Sequence, residues 1–234
     1  MPTDLKFDVC YLDEDIILLN KPSRLSVLVE GWEPSAPSLI DLVRQTWPEA
    51  MVVHRLDKDT SGIMVFARNP NAHRSLSIQF EKHLVQKQYL AVVVGEPGWE
   101  VTTARHRLRV GVGKKHRTVV DNAKGISAET VMRILERFNG HALVAAEPRT
   151  GRTHQIRVHL YAKGFPILGD PLYGDVRSSL INRAALHAST IRFAHPSTNE
   201  EVVFEAPLAK DIVMAIEAIK KIKSSGFFDG FHLN

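Results

Sequence analysis

Apolar residues in this chain either run together or recur at fixed intervals, and the two patterns mark strands and helices. Residues 15–20, DIILLN, form an apolar run ended by Asn20, Lys21 and Pro22, which predicts a buried strand closed by a turn. Residues 38–47 place Leu39, Leu42, Val43 and Trp47 at helical spacing, with Ser38 as the N-cap. From 52 to 68, VVHRLDKDTSGIMVFAR reads as two buried strands around a polar loop that closes with Thr60, Ser61 and Gly62. A short helix over 71–84 and a strand, QYLAVVVG, over 88–95 follow.

The stretch 105–125, RHRLRVGVGKKHRTVVDNAKG, is dense in Lys and Arg and holds a single acid. It predicts a pair of short exposed strands or an extended arm with glycine turns. Residues 128–138 and 141–150 flank Asn139-Gly140, a strong hairpin signal. THQIRVHLYAK (153–163) predicts a helix stopped by Gly164 and then Pro166. Two further strands, AALHASTIRFAHP and EVVFEAP, are expected around a turn at Thr198-Asn199. Residues 208–223 predict an amphipathic helix with Ile212, Ile216, Ile219 and Ile222 on one side. Strands and helices mix without regular alternation, so one α+β domain over residues 1–234 is expected, not a doubly wound fold.

Composition narrows the class. A chain of 234 residues that is 44% hydrophobic and 24% charged has enough apolar material for a sizeable core. No stretch approaches the roughly 18–20 consecutive apolar residues of a membrane span. The first 20 residues lack the basic-then-apolar order of a secretory leader, so a cytoplasmic protein is expected. Cys10, the single cysteine, rules out an intramolecular disulfide and reads as a small core residue at a strand start. The formal charge of +4 is compatible with nucleic-acid binding but says less than the clustering of that charge.

Four polar clusters stand out: 54–62, KQY at 87–89, the basic arm at 105–117, and TGRTHQIRVHL at 150–160. Asp57 lies in a loop between two interior strands, with Arg55 two positions away. Carboxylates at the mouth of a core sheet are seldom placed without a partner, which makes Asp57 a candidate active-site acid. The competing reading is a salt bridge near a turn. Asp59 shares the loop. A helix over 153–163 would put Thr153 and Arg157 on one face and Arg152 at its entrance. His154 and His159 are five apart, not the i, i+4 spacing of paired metal ligands, and no metal is expected.

HRLDKDTSG resembles the catalytic motif of the RluA family of pseudouridine synthases, HRLDxxTSG. NKPS (20–23), KQYLAVVVG (87–95), TGRTHQIRVHL, GFPILGDPLYG (164–174) and LHASTIRFAHP (186–196) resemble the family's other blocks in the family's order, over residues 15–210. The resemblance implies a pseudouridine synthase catalytic domain: a mixed, mainly antiparallel sheet with flanking helices and a central cleft. It implies isomerisation of uridine in a ribosomal or transfer RNA stem-loop, by a monomer, with no cofactor. Asp57 would be the catalytic carboxylate, and Asp59 falls at a variable position of the motif. Arg157 would keep Asp57 ionised, with Arg152 in support. Tyr89 would stack on the flipped base and manage the proton at its carbon 5. Arg55 would hold the everted RNA, and Lys87, His154, Gln155 and Ile156 fall in the RNA-binding motifs.

Two departures qualify the match. Arg24 stands where the family has glycine after NKPS, so either the turn has another geometry or Arg24 adopts a positive φ. Only 56 residues precede Asp57, too few for the family's N-terminal RNA-binding module. The basic arm, through Lys114, Lys115 and Arg117, is then expected to grip RNA; a solvated hairpin with surplus charge is the competing reading. A non-catalytic RNA-binding or RNA-folding protein, or a metal-dependent hydrolase using the His and Asp of 54–59, are the other functions weighed.

Overall fold

The computed structural model describes residues 7–29, 35–113, 117–174 and 178–222. Its frame is an 11-stranded sheet. In chain order the elements are β1 (Asp8–Leu12), β2 (Ile16–Lys21), α1 (Leu39–Arg44), β3 (Met51–Val52), β4 (Ser61–Ala67), α2 (Pro70–Glu81), β5 (Gln86–Val94), β6 (Val101–Val112), β7 (Arg117–Val120), β8 (Ile126–Phe138), β9 (His141–Pro148), α3 (Gln155–Ala162), β10 (Leu186–Ala194), β11 (Glu201–Glu205) and α4 (Lys210–Lys221). The sheet runs β1-β2-β4-β10-β5-β9-β8-β6-β7, with β11 on β10 and β3 on β4. Every strand pair is antiparallel except β4 with β10. Among the described residues no helix is long and apolar enough to cross a membrane.

Local chemistry accounts for several boundaries. Ser38 and Asp41 form a reciprocal capping box that starts α1. Asn69 caps α2, whose first residue is Pro70, where a missing N–H costs nothing. Asn139 and Gly140 both have positive φ, 47° and 74°, which gives the tight turn that the β8–β9 hairpin requires. Arg24 has φ 64°, so it adopts the left-handed conformation itself.

Two apolar clusters sit on either side of a seam formed by β10 and β5. One is built on β2, β4, α1 and α2; the other on β5, β8, β9, α3 and α4. Tyr89 of β5 packs against both. At this seam Gly62, with φ 117°, pairs with Ala188 in the only parallel pairing among the described residues, and a Cβ there would lie 2.1 Å from the Ala188 carbonyl oxygen. Glycine is the residue that lets the start of β4 come this close to β10.

Four expectations need correction. Cys10 is exposed, because β1 is the sheet's edge strand and Cys10 is the extra residue of a bulge between Val9 and Tyr11. The stretch from 105 is not a short exposed strand but part of β6, a strand of 12 residues paired along β8, with Ala104 and Leu108 buried. The helix predicted over 153–163 starts at Gln155, since His154 takes a left-handed φ of 56°, so Thr153 is not on its face. On α4 the buried set is Ile212, Ala215 and Ile219, while Ile222 is exposed at the helix end.

Candidate active site

The loop 53–60 joins β3 to β4, and the turn at its tip closes with Thr60 N–H donating to the Asp57 carbonyl at 3.1 Å. Two buried cations grip this turn from behind. Lys21 donates to the Lys58 carbonyl at 3.0 Å, and Arg183 to that of Asp59 at 3.0 Å. Lys21 also donates to the carbonyls of Pro22 and Leu25, and burial pushes its pKa down to about 7. Arg183 is fixed by two 2.7 Å contacts to Asp211 of α4. The backbone around Asp57 is thereby tied to β2 and to α4 at successive carbonyls.

In front of the turn lies a cavity of about 290 Å³, lined by this loop, α2, β5, the end of β9 and the start of α3. Nine residues singled out in the sequence line it together: Arg55, Asp57, Lys87, Tyr89, Arg152, His154, Gln155, Ile156 and Arg157. Asp59 is not among the lining residues and has its charge near Lys21 instead. Arg117 lies elsewhere, donating to the Leu172 carbonyl at 3.1 Å, with its guanidinium 5.9 Å from the Tyr173 ring. Lys114 and Lys115 lie outside the described residues.

Arg157 reaches Asp57 Oδ2 at 3.4 Å, a long single contact. Its short contacts, 2.7 and 2.8 Å, go in a bidentate pair to Asp170, which also accepts the N–H groups of Leu172 and Tyr173. Burial works against the Arg157 charge, but Asp170 and then Asp57 outweigh it and hold the guanidinium charged. Asp57 therefore shares its arginine with a second, fully buried carboxylate.

Burial, followed by the Asp57 charge, raises the Tyr89 pKa, so the phenol keeps its proton. Its hydroxyl has no hydrogen-bond partner among the described residues, leaving it free for a ligand. Lys87, lowered in pKa by burial, stands 5.8 Å from the Phe80 ring centre. Gln155 is saturated: its amide oxygen accepts from Thr150 and Arg152, and its nitrogen donates to the Glu129 carbonyl and Thr130. It forms the wall and locks the turn that aims His154 inward.

His54 accepts a hydrogen bond from Val65 N–H and stacks on Phe80, and burial pushes its pKa down to about 3. Its accepting nitrogen is thus spent inside the fold. Among the described residues the potential metal ligands that gather are Asp13, Asp15 and His195, outside this cavity, where His195 already pairs with Asp13 at 2.9 Å.

Four residues at or behind the site had no role read from the sequence: Asp170 and Tyr173, inside GFPILGDPLYG, and Lys21 and Arg183. The signal for Asp170 was an acid within an otherwise apolar and glycine-rich block. Its partner lies on a separate helix, which only folding brings near.

Residues 15–162 match the family model described as RNA pseudouridylate synthase. The uncharacterized RNA pseudouridine synthase YlyB of Bacillus subtilis is 39% identical over 231 residues, covering 94% of this chain and 74% of the relative. The ribosomal large subunit pseudouridine synthase C of Vibrio vulnificus is 36% identical over 221 residues, covering 91% and 69%. Among solved structures, human RNA pseudouridylate synthase domain containing 1 superposes with a TM-score of 0.74 at 26% identity, covering 94% of this chain and 98% of that one.

Proposed function

The chain belongs to the RNA pseudouridylate synthase family, and from that premise we propose that it converts a specific uridine in structured RNA to pseudouridine with Asp57 as the catalytic carboxylate. The observation that carries this reading is one cavity that unites Asp57, Arg157 and Tyr89 beneath a rim of cations. Large-subunit ribosomal RNA is the first substrate to test, because that is what several relatives are named for; transfer RNA is the second.

The reaction breaks the bond between sugar C1′ and the base nitrogen, turns the base, and rejoins it through carbon 5. It is redox-neutral and conserves every atom except for the proton exchanged at that carbon. An ionised carboxylate serves at the sugar, either by attack or by taking a proton. Arg157 lies 3.4 Å from the Asp57 carboxylate, and its bidentate commitment to Asp170 leaves the Asp57 oxygens largely free to react. Tyr89 supplies a face for the uracil and a protonated hydroxyl beside it. Arg55, Lys87 and Arg152 meet the phosphates of the everted strand.

Pseudouridines mapped across total RNA, with and without the protein, test this. We expect Asp57→Asn to abolish turnover while RNA affinity stays within about tenfold, since phosphates and stacking carry binding. Turnover retained in that variant would remove Asp57 from its role. A purely RNA-binding function would show as no lost pseudouridine on deletion and no conversion of bulk RNA in vitro.

A further inference from the structure

His154 enters the cavity in a left-handed conformation, with φ 56°, and Nε2 lies 3.8 Å from Asp57 Oδ2. Its other nitrogen, Nδ1, meets the Tyr173 hydroxyl at 3.0 Å. That hydroxyl is buried and engages both backbone groups of Thr118, accepting from N–H at 2.9 Å and donating to the carbonyl at 3.1 Å. It covers β7 at the end of the sheet as another strand would.

A phenol has one proton. The buried Thr118 carbonyl takes it, since leaving that acceptor bare would cost the full desolvation penalty. Nδ1 must then be the donor to the Tyr173 oxygen, and a neutral His154 carries its lone pair on Nε2. Burial, reinforced by Arg157 and Arg55 and opposed by Asp57 and Asp170, lowers the His154 pKa and keeps the ring neutral. Two acceptors, Nε2 and the Asp57 carboxylate, thus face one another across 3.8 Å with no proton between them. Such a gap attracts a donor.

Resting on the function proposed above, we propose that His154 Nε2 accepts a hydrogen bond from the ribose 2′-hydroxyl of the target nucleotide, and that Tyr173 is the positioning residue that makes Nε2 the acceptor. The 2′-hydroxyl is the donor nearest the C1′ centre on which Asp57 acts. Captured by His154, it no longer occupies a lone pair of the Asp57 carboxylate, which stays free for the sugar. The same contact distinguishes ribose from deoxyribose at the one nucleotide that reacts.

The test is a cycle on the stem-loop carrying the uridine that the wild-type protein converts, made with ribose or with 2′-fluoro-ribose at that nucleotide. Fluorine keeps the electron withdrawal and removes the donor. His154→Asn suits the left-handed backbone and can place its amide N–H where Nδ1–H meets Tyr173, while lacking Nε2. Wild-type kcat/KM should fall about tenfold or more with the fluoro substrate, the size of one lost buried hydrogen bond. H154N should be about tenfold slower on ribose and lose less than about threefold further on the fluoro substrate. Equal fluoro penalties in both proteins would overturn the inference. Side-chain nitrogen NMR of wild type should show His154 protonated at Nδ1, and in Tyr173→Phe that preference should weaken; an Nε2–H tautomer in wild type would also overturn it. If no RNA is converted by wild type, the proposed function fails and this inference falls with it, whereas normal conversion with equal penalties sinks the inference alone.

Discussion

In the β6–β7 pair, Arg105 and Arg109 face Glu129 and Asp121 at 2.9 and 3.0 Å, and Arg107 and Arg117 donate to the carbonyls of Gly125 and Leu172. At the cavity mouth, Arg55, Lys87 and Arg152 have no carboxylate partner among the described residues. The first region is the denser in cations along the sequence, yet each of these four described arginines is already engaged, two by carboxylates and two by carbonyls. The second is sparse, but its charge is open. Binding strength toward a polyanion follows charge that is uncompensated and convergent, not charge that is numerous.

The largest effect should come from Arg157, which is buried and shared between two carboxylates. Asp170→Ala leaves Arg157 with its long contact to Asp57 and the Tyr173 ring 5.1 Å away, and should destabilise the fold by about 3–5 kcal/mol, read by denaturant unfolding. Turnover should fall with it, because a freed Arg157 would clamp the Asp57 carboxylate. Unchanged stability would mean that Arg157 had never depended on Asp170.

Next in size is the difference between the two cation sets. Replacing Lys87 or Arg55 by Ala should weaken RNA binding by about tenfold and reduce the slope of log affinity against log salt by about one. Arg105→Ala or Arg109→Ala should change affinity by less than about twofold and leave the salt slope alone. Equal slopes across all four variants would erase the distinction between the regions. Arg117→Ala should lower the melting temperature, through Leu172 and Tyr173, more than it changes that slope. Replacing Lys114 and Lys115 by Ala should weaken RNA binding and flatten its salt dependence, and an unchanged slope would return the arm to a solvated hairpin.

The smallest effect concerns pH. His154 is neutral near pH 7, its pKa lying below the ordinary 6.5. As pH falls through that lowered value, Nε2 gains a proton and can no longer accept, so kcat/KM should decline on the acid side. Arg55 depresses this pKa, and Arg55→Ala should move the decline to slightly higher pH. A limb that moves to lower pH instead would contradict the electrostatic account.

Much of the fold was legible because its signals are local. The Ser38 cap, the Asn139-Gly140 turn, the apolar runs of β2 and β4 and the β10–β11 pair each depend on residues within a few positions of one another. The motifs HRLDKDTSG and TGRTHQIRVHL named the family and most of the cavity wall for the same reason. Errors arose where burial depends on what lies beside an element. Cys10 is exposed because it is the bulged residue of an edge strand, and Arg105 meets Glu129 only because β6 pairs along β8.

By itself the chain order pointed to Asp57, Tyr89 and Arg157 as candidate site residues, since each sits in a short motif that resembles a block of the family. Only the tertiary structure decided how they are held. Asp170 claims Arg157, Lys21 and Arg183 support the turn, and Tyr173 orients His154. Each of these is a contact between residues from different elements. Hydrogen bonds and ion pairs act over about 3 Å, whatever the separation along the chain, so which acid an arginine meets becomes readable only once the sheet has brought the two together.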